Sequence, residues 1–449
     1  MKIEYPLVAL IWGVGFAFYL WILTRHPLIY GIDGPYYLIQ VGSLLKGEGL
    51  KYGDPPLAFL LFAFFTVLVG DVTLGIRIGV ALFSSLSAVP VYFIVKEATK
   101  AKHAGYVAML ACIFSVPHIR MMNDLLKNVV GACFLLFFVY YIQDLALREG
   151  NRRNLFFAAF FLILTGITHI LDFGVALLFL GLYPLMAVAL NFNKRSFLRS
   201  VGVVSLILGF FVAAAFLVFP SLFTDFYKGI SFLSDLFSAS AQSHPIFFLL
   251  DSRSGGLIIP VLVIGAVLTV YEWRGGKKGA VLTLSTATIV GTLLSLPFIP
   301  QQWLWRFLLM EFIPLAIIIG YGASKMERKI AIAIFLILCI SPLVYQSIEE
   351  SRRMHPTINE EGYRELEMIE RILPSDSVVI AHMPVAYWIQ YIAGCDIAKR
   401  PSPDLWNSYS HAFILHQKRR PLPKLPQGSK IRFNGREFIL IELPRPRFL

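Results

Sequence analysis

Apolar runs of about 17–25 residues, each long enough to cross a hydrocarbon core of about 30 Å, recur from Tyr5 to Tyr345 and then stop. From about residue 350 to 449 the pattern changes to that of a soluble protein, with Lys, Arg, Glu and Pro throughout. Five loops between the apolar runs each hold three basic residues: Lys96, Lys100 and Lys102; Arg148, Arg152 and Arg153; Lys194, Arg195 and Arg199; Arg274, Lys277 and Lys278; Lys325, Arg328 and Lys329. Short loops rich in Lys and Arg stay in the cytoplasm, so these five and the Lys2 terminus belong on one side. That constraint assigns an ambiguous run, Leu57–Val69. Its 13 residues cover only about 20 Å at 1.5 Å per residue, and a crossing there would turn every later basic loop outward. Leu57–Val69 is therefore a re-entrant or surface-lying helix, with Pro55-Pro56 at its start.

The predicted spans are roughly 6–23, 72–95, 103–117, 125–147, 154–170, 173–190, 198–219, 256–273, 279–297, 303–321 and 329–346, about eleven crossings. The sequence thus predicts an all-α polytopic membrane protein over residues 1–346, with two juxtamembrane helices in its first outer loop. A small extracytoplasmic α/β domain follows over 347–449. In this tail Glu360–Ile372 has helical periodicity, Ser377–Ala381 suits a strand, and Ile431–Leu443 around Asn434-Gly435 reads as a hairpin. The tail is basic, but long translocated domains largely escape the charge rule. The expected location is the cell membrane, multi-pass, with the N-terminus cytoplasmic. No small-x-small cleavage site follows the first span, which reads as an uncleaved anchor.

Composition supports this reading. The chain is 57% hydrophobic and 15% charged, against roughly 25% charged in soluble chains. A net charge of +12 marks cytoplasmic loops and lipid head groups here, and nucleic acid is not expected as a partner. Cys112, Cys133 and Cys339 sit in apolar runs and Cys395 in the tail, with no pairing or metal spacing.

With sides assigned, polar residues collect at the outer helix ends. The first outer segment holds Asp33 in Ile32-Asp33-Gly34-Pro35-Tyr36-Tyr37, before an amphipathic helix whose apolar face is Tyr37, Leu38, Val41, Leu44 and Leu45. An N-cap is the simple alternative for Asp33, and is the expected role of Asp54 before Pro55-Pro56. The second corner brings Arg120, Asp124 and Lys127 at three- and four-residue spacing, an ion-pair ladder if they share one helix. Charges that begin a membrane span are costly and usually face a cavity. The third corner carries His169 and Asp172, spaced to bond each other. A later corner leads through Trp303, Trp305 and Arg306 to Glu311. Arg306 can reach head groups, pair with Glu311 or hold a lipid phosphate in its planar fork. Taken together, carboxylates and cations gathered at one bilayer boundary suit an active site for an amphiphilic phosphate.

In this order the features resemble the GT-C class of membrane glycosyltransferases, which includes protein mannosyltransferases, lipid A aminoarabinose transferases and oligosaccharyltransferase subunits. The resemblance runs through nearly the whole chain. It rests on one helix followed by an outer loop with an early acid (Asp33), two surface-lying helices with Pro55-Pro56-Leu57 starting the second, and a second acid after the third span (Asp124). An Arg at the outer start of a late span (Trp305-Arg306-Phe307) and an extracytoplasmic tail complete it. It implies transfer of a sugar from a polyprenyl-phosphate donor to a glycan, lipid or protein acceptor, by inverting displacement.

By the same resemblance Asp33 is the general base, Arg306 holds the departing phosphate, and Asp124 orients the acceptor or helps Asp33 hold a divalent cation such as Mg or Mn. Arg120, Lys127, His169 and Asp54 are further substrate-binding candidates. The pattern departs from the mannosyltransferases, where Asp-Glu stands in place of Asp33-Gly34. It also departs from the oligosaccharyltransferases, whose Trp-Trp-Asp-Tyr-Gly and Asp-x-Asp signatures are absent. A transporter or flippase of a lipid-linked or small solute is the alternative, although neither inverted repeats nor midplane breaks mark the sequence.

Overall fold

The structure is a computed structural model describing residues 4–148, 152–192, 194–218, 231, 234–235 and 257–445. Lys2 and the predicted span ends at residues 219 and 256 lie outside the described residues. The chain forms two compact units. The first comprises Met1–Ile22, Tyr52–Leu61 and Arg77–Arg353, and the second Leu23–Lys51, Phe62–Ile76 and Met354–Leu449.

The helices up to Arg353 are α1 (Glu4–Thr24), α2 (Gly34–Leu45), α3 (Leu57–Val69), α4 (Val72–Leu86), α5 (Ala88–Thr99), α6 (Lys102–Ile113), α7 (Val116–Asp124), α8 (Leu126–Leu147), α9 (Arg152–Gly166), α10 (Ile170–Ala189), α11 (Lys194–Val218), α12 (Ile258–Arg274), α13 (Lys278–Leu294), α14 (Gln301–Met310), α15 (Phe312–Ala323), α16 (Lys329–Phe335) and α17 (Ser341–Arg353). A π-helical stretch, Leu336–Ile340, joins the last two. Each of the predicted crossings coincides with one of these helices or with a helix pair. Among the described residues seven spans are long and apolar enough to cross a membrane, and an eighth is α6 with α7, bent by 40°. The remaining predicted spans, α9, α12 and α13, are 15 to 17 residues long. The bend has a local cause: Pro117 has no N–H to donate and begins the new helix.

Helices in lipid gain little from the hydrophobic effect and associate through close packing. Accordingly α15 meets α6 where Gly320 lies against Ala104 and Ala108, leaving no room for a side chain. Contacts between helix ends gather the basic loops onto one face of the first unit. Glu4 of α1 pairs with Lys96 and Lys102, and Arg148 reaches Glu97 at 2.6 Å. His103 Nε2 lies 3.2 Å from the Ala323 carbonyl, and Lys325 and Lys277 both pair with Glu272. Gly279 sits beside Leu147 and Phe192, which brings the remaining loop to the same face.

In the second unit α18 (Glu360–Glu370) and α19 (Met383–Ala393) pack together, and a five-stranded sheet has the order β2-β1-β3-β5-β4. The strands are β1 (Ser377–Ala381), β2 (Asp396–Ala398), β3 (His411–Gln417), β4 (Lys430–Asn434) and β5 (Phe438–Glu442). β1 runs parallel to β2 and β3, which explains its unbroken burial, while β3, β5 and β4 are antiparallel. α2 lies on α19, with Tyr36 and Tyr387 ring centroids 5.4 Å apart. This packing changes the expected face of α2. Tyr37, Leu38 and Val41 are buried as predicted, but Gln40 and Ser43 are buried with them, and Leu45 is 41% exposed.

Candidate active site

The helix ends opposite the basic loops carry six of the seven candidate residues. Lys127, in the first turn of α8, places Nζ 2.5 Å from Asp54 Oδ1, and both side chains are largely buried. Asp54 is therefore the counter-ion of Lys127, which replaces the expected cap. A lysine drawn into a membrane span needs a carboxylate more than the start of α3 needs a cap. The start of α3 is instead met by the Ile167 carbonyl, which accepts from Leu57 N–H at 3.3 Å.

The ladder expected of Arg120, Asp124 and Lys127 loses its common helix. Leu125 (φ −119°, ψ 53°) separates α7 from α8, so Lys127 starts a new element. Arg120 Nε lies 3.5 Å from Glu350 Oε1 at the end of α17. Asp124, the last residue of α7, accepts from the Asn123 amide at 2.7 Å.

His169 stands at the N-cap of α10, where its Nδ1 accepts from Leu171 N–H at 3.3 Å and lies 2.9 Å from the Asn128 amide nitrogen. The same nitrogen is 3.2 Å from Asp172 Oδ2, so the expected approach of these two residues is present. It is not an ordinary imidazole-to-carboxylate hydrogen bond, because neither oxygen of Asp172 has a hydrogen-bond partner among the described residues. Asp172 packs against Gly131 of α8, where any side chain would strike its carboxylate.

Arg306 lies on α14, which packs on α7. Its guanidinium sits 5.2 Å from the Trp305 ring and 5.8 Å from the Trp303 ring, and its Nε has no hydrogen-bond partner among the described residues. The pairing with Glu311 does not form. The helix breaks at Glu311, five residues on, whose buried carboxylate faces Gly291 of α13 and also lacks a hydrogen-bond partner among the described residues. Two indoles fix the cation without neutralising it, which leaves a half-buried guanidinium able to receive an anion in its fork.

Asp33 belongs to the second unit. Gly31, at φ 76°, forms a bridge to Pro356 and donates its N–H to the His355 carbonyl at 3.3 Å. The positive φ at this position favours glycine, which has no Cβ to strain it. Asp33 then occupies the cap position of α2, but its side chain makes no cap hydrogen bond, so capping does not account for it. Among the described residues no three His, Cys, Asp or Glu side chains converge to hold a metal ion, so the divalent cation expected on Asp33 and Asp124 gains no fitted donor set. The sequence pointed to neither Asn128 nor Glu350. Their charged or polar partners were legible, but not which distant residue would meet them.

Residues 53–219 match the family described as dolichyl-phosphate-mannose-protein mannosyltransferase. No curated protein matches the chain by sequence. Among solved structures, the archaeal oligosaccharyltransferase AglB from Archaeoglobus fulgidus, in complex with an inhibitory peptide and a dolichol-phosphate, is similar at a TM-score of 0.64 and 10% identity, over 92% of this chain and 69% of its own. ArnT from Cupriavidus metallidurans bound to undecaprenyl phosphate is similar at 0.62 and 12%, over 98% and 97%. The arabinofuranosyltransferase AftD from Mycobacteria is similar at 0.56 and 10%, over 98% and 40%. These likenesses, with the helix order and the small C-terminal sheet, show a multi-pass membrane protein with the fold of the GT-C class of glycosyltransferases.

Proposed function

We propose that the protein transfers a sugar from a polyprenyl-phosphate donor to an acceptor on the extracytoplasmic side of the membrane, inverting the anomeric carbon. The observation that carries this reading is the fold shared, over nearly the whole chain, with structures holding dolichol-phosphate and undecaprenyl phosphate. In the reaction an acceptor hydroxyl or amide attacks the anomeric carbon. The bond from that carbon to the phosphate oxygen breaks, and the lipid phosphate leaves with the bonding electrons. The acceptor's proton passes to Asp33, whose carboxylate is not engaged in capping. Arg306 offsets the charge gathering on the leaving phosphate, a task suited to a guanidinium held by indoles. Asp124 orients the acceptor, and Arg120, Lys127 and His169 contact the substrates. Asp54 acts through Lys127, holding it in place.

The test is to incubate purified protein with a panel of polyprenyl-phosphate sugars and measure release of lipid phosphate. Asp33→Asn is expected to lower transfer by roughly 10²–10⁴-fold with an unchanged melting temperature. Full activity in a folded Asp33→Asn protein would remove Asp33 from the mechanism. Movement of intact donor across proteoliposomes, with no phosphate released from any donor, would replace the transferase with a carrier.

A further inference from the structure

The second unit contains a cleft of about 570 Å³, a size suited to a small ligand. Its floor is Phe438, 1% exposed, and its rim includes His355, Glu361 from the start of α18, and Gln417, Arg419 and Glu437 from the joined ends of β3 and β5. The rim is held in advance of any ligand. Arg419 donates to Glu437 Oε1 at 2.8 Å, and Glu365 accepts from the backbone N–H groups of Glu437 and Phe438 at 3.1 and 2.9 Å.

The chemistry of this rim narrows the ligand. Each carboxylate of the lining has an arginine partner, Glu437 with Arg419, Glu361 with Arg436 and Glu360 with Arg364, so the rim is close to neutral, and Leu28, Ile358 and Phe438 set apolar surface between the polar groups. Gln417 and Phe438 are partners on interior strands, so no free strand edge is offered for an extended peptide to join. Carboxylate, amide, imidazole and guanidinium groups around a hollow do match the paired hydroxyls of a sugar, which need donors and acceptors together. One wall, His355 with Pro356, is bridged to Gly31, two residues from Asp33.

We propose that this cleft binds the acceptor, and that the acceptor is a neutral glycan. The proposal rests on the transferase reading above, because it takes Asp33 as the group that meets the acceptor. Binding of mannotriose, N-acetylchitotriose and maltotriose, and of a neutral Ser/Thr-containing peptide, is measured on the full chain in nanodiscs. At least one trisaccharide is expected to bind the wild type and Asp33→Asn alike, and to bind Gln417→Ala and Glu361→Ala at least about tenfold more weakly. Both cleft substitutions lie on the rim, so melting temperatures are expected to hold. Failure of all three trisaccharides, binding of the peptide alone, or unchanged affinity in both cleft variants would overturn the proposal. Trisaccharide binding without transfer from any donor would instead defeat the transferase reading while leaving the glycan site in place.

Discussion

The two faces of the first unit both bury carboxylates beside cations, yet they use them differently. On the face of the basic loops four acids each meet more than one polar or charged partner. Glu4 has Lys96 and Lys102, Glu97 has Lys100 and Arg148, Asp144 has Arg148 and Asn154, and Glu272 has Lys277 and Lys325. On the opposite face Arg306 rests on indoles, and its Nε has no hydrogen-bond partner among the described residues. Charge alone does not separate the faces. Saturation does: a carboxylate shared between two basic side chains fastens helices, whereas a guanidinium packed on rings keeps an unfilled donor.

The largest effect should come from the saturated face. Glu272→Ala leaves Lys325 and Lys277 without their shared acid, and a loss of about 3–5 kcal/mol is expected in detergent unfolding, with activity per folded molecule retained. An equal loss of activity in the folded fraction would blur the contrast. Arg306→Ala is expected to do the reverse, cutting transfer roughly 10²–10³-fold while the melting temperature stays nearly constant, as read by lipid phosphate release. Between these extremes, a double-mutant cycle on Asp54→Ala and Lys127→Ala should return a coupling of about 1–3 kcal/mol. A coupling near zero would show that the pair does not fasten α8 to the segment before α3.

The smallest effect lies outside both faces. The Ser410 hydroxyl and N–H, at 2.6 and 3.1 Å, hold the Asp376 carboxyl below its ordinary value. Because the folded value is depressed, this contribution is present above the unfolded value of about 4 and is lost as pH falls through the folded one. Ser410→Ala should therefore flatten the acid limb of the unfolding curve and leave neutral stability almost unchanged.

Much of the architecture was legible because lipid imposes length and apolarity on every crossing. The eleven predicted spans coincide with helices, and Ser377–Ala381 is a strand residue for residue. The break at Leu125 was not legible, since Arg120 to Lys127 fits an unbroken helix as well as a broken one. Nor was the Asp54–Lys127 pair: rules of local spacing favour a cap three residues away over an ion pair 73 residues distant. The strand His411–Gln417 was missed because an interior strand covered on both faces shows no alternation. Asp33, Arg306 and the other candidate acids and bases stood out in sequence because charge at a span's edge is costly, but their partners depend on three-dimensional packing.

The bridge between Gly31 and Pro356 also sets an order of events during synthesis. Gly31 is made before its partner Pro356, which leaves the ribosome more than three hundred residues later. At about 5–20 residues per second, that interval is on the order of tens of seconds. Until then the early stretch has no backbone mate at this bridge. A nascent chain stopped before Pro356 would hold the membrane helices made up to that point without this bridge, so the backbone at Gly31 is joined only after those helices exist.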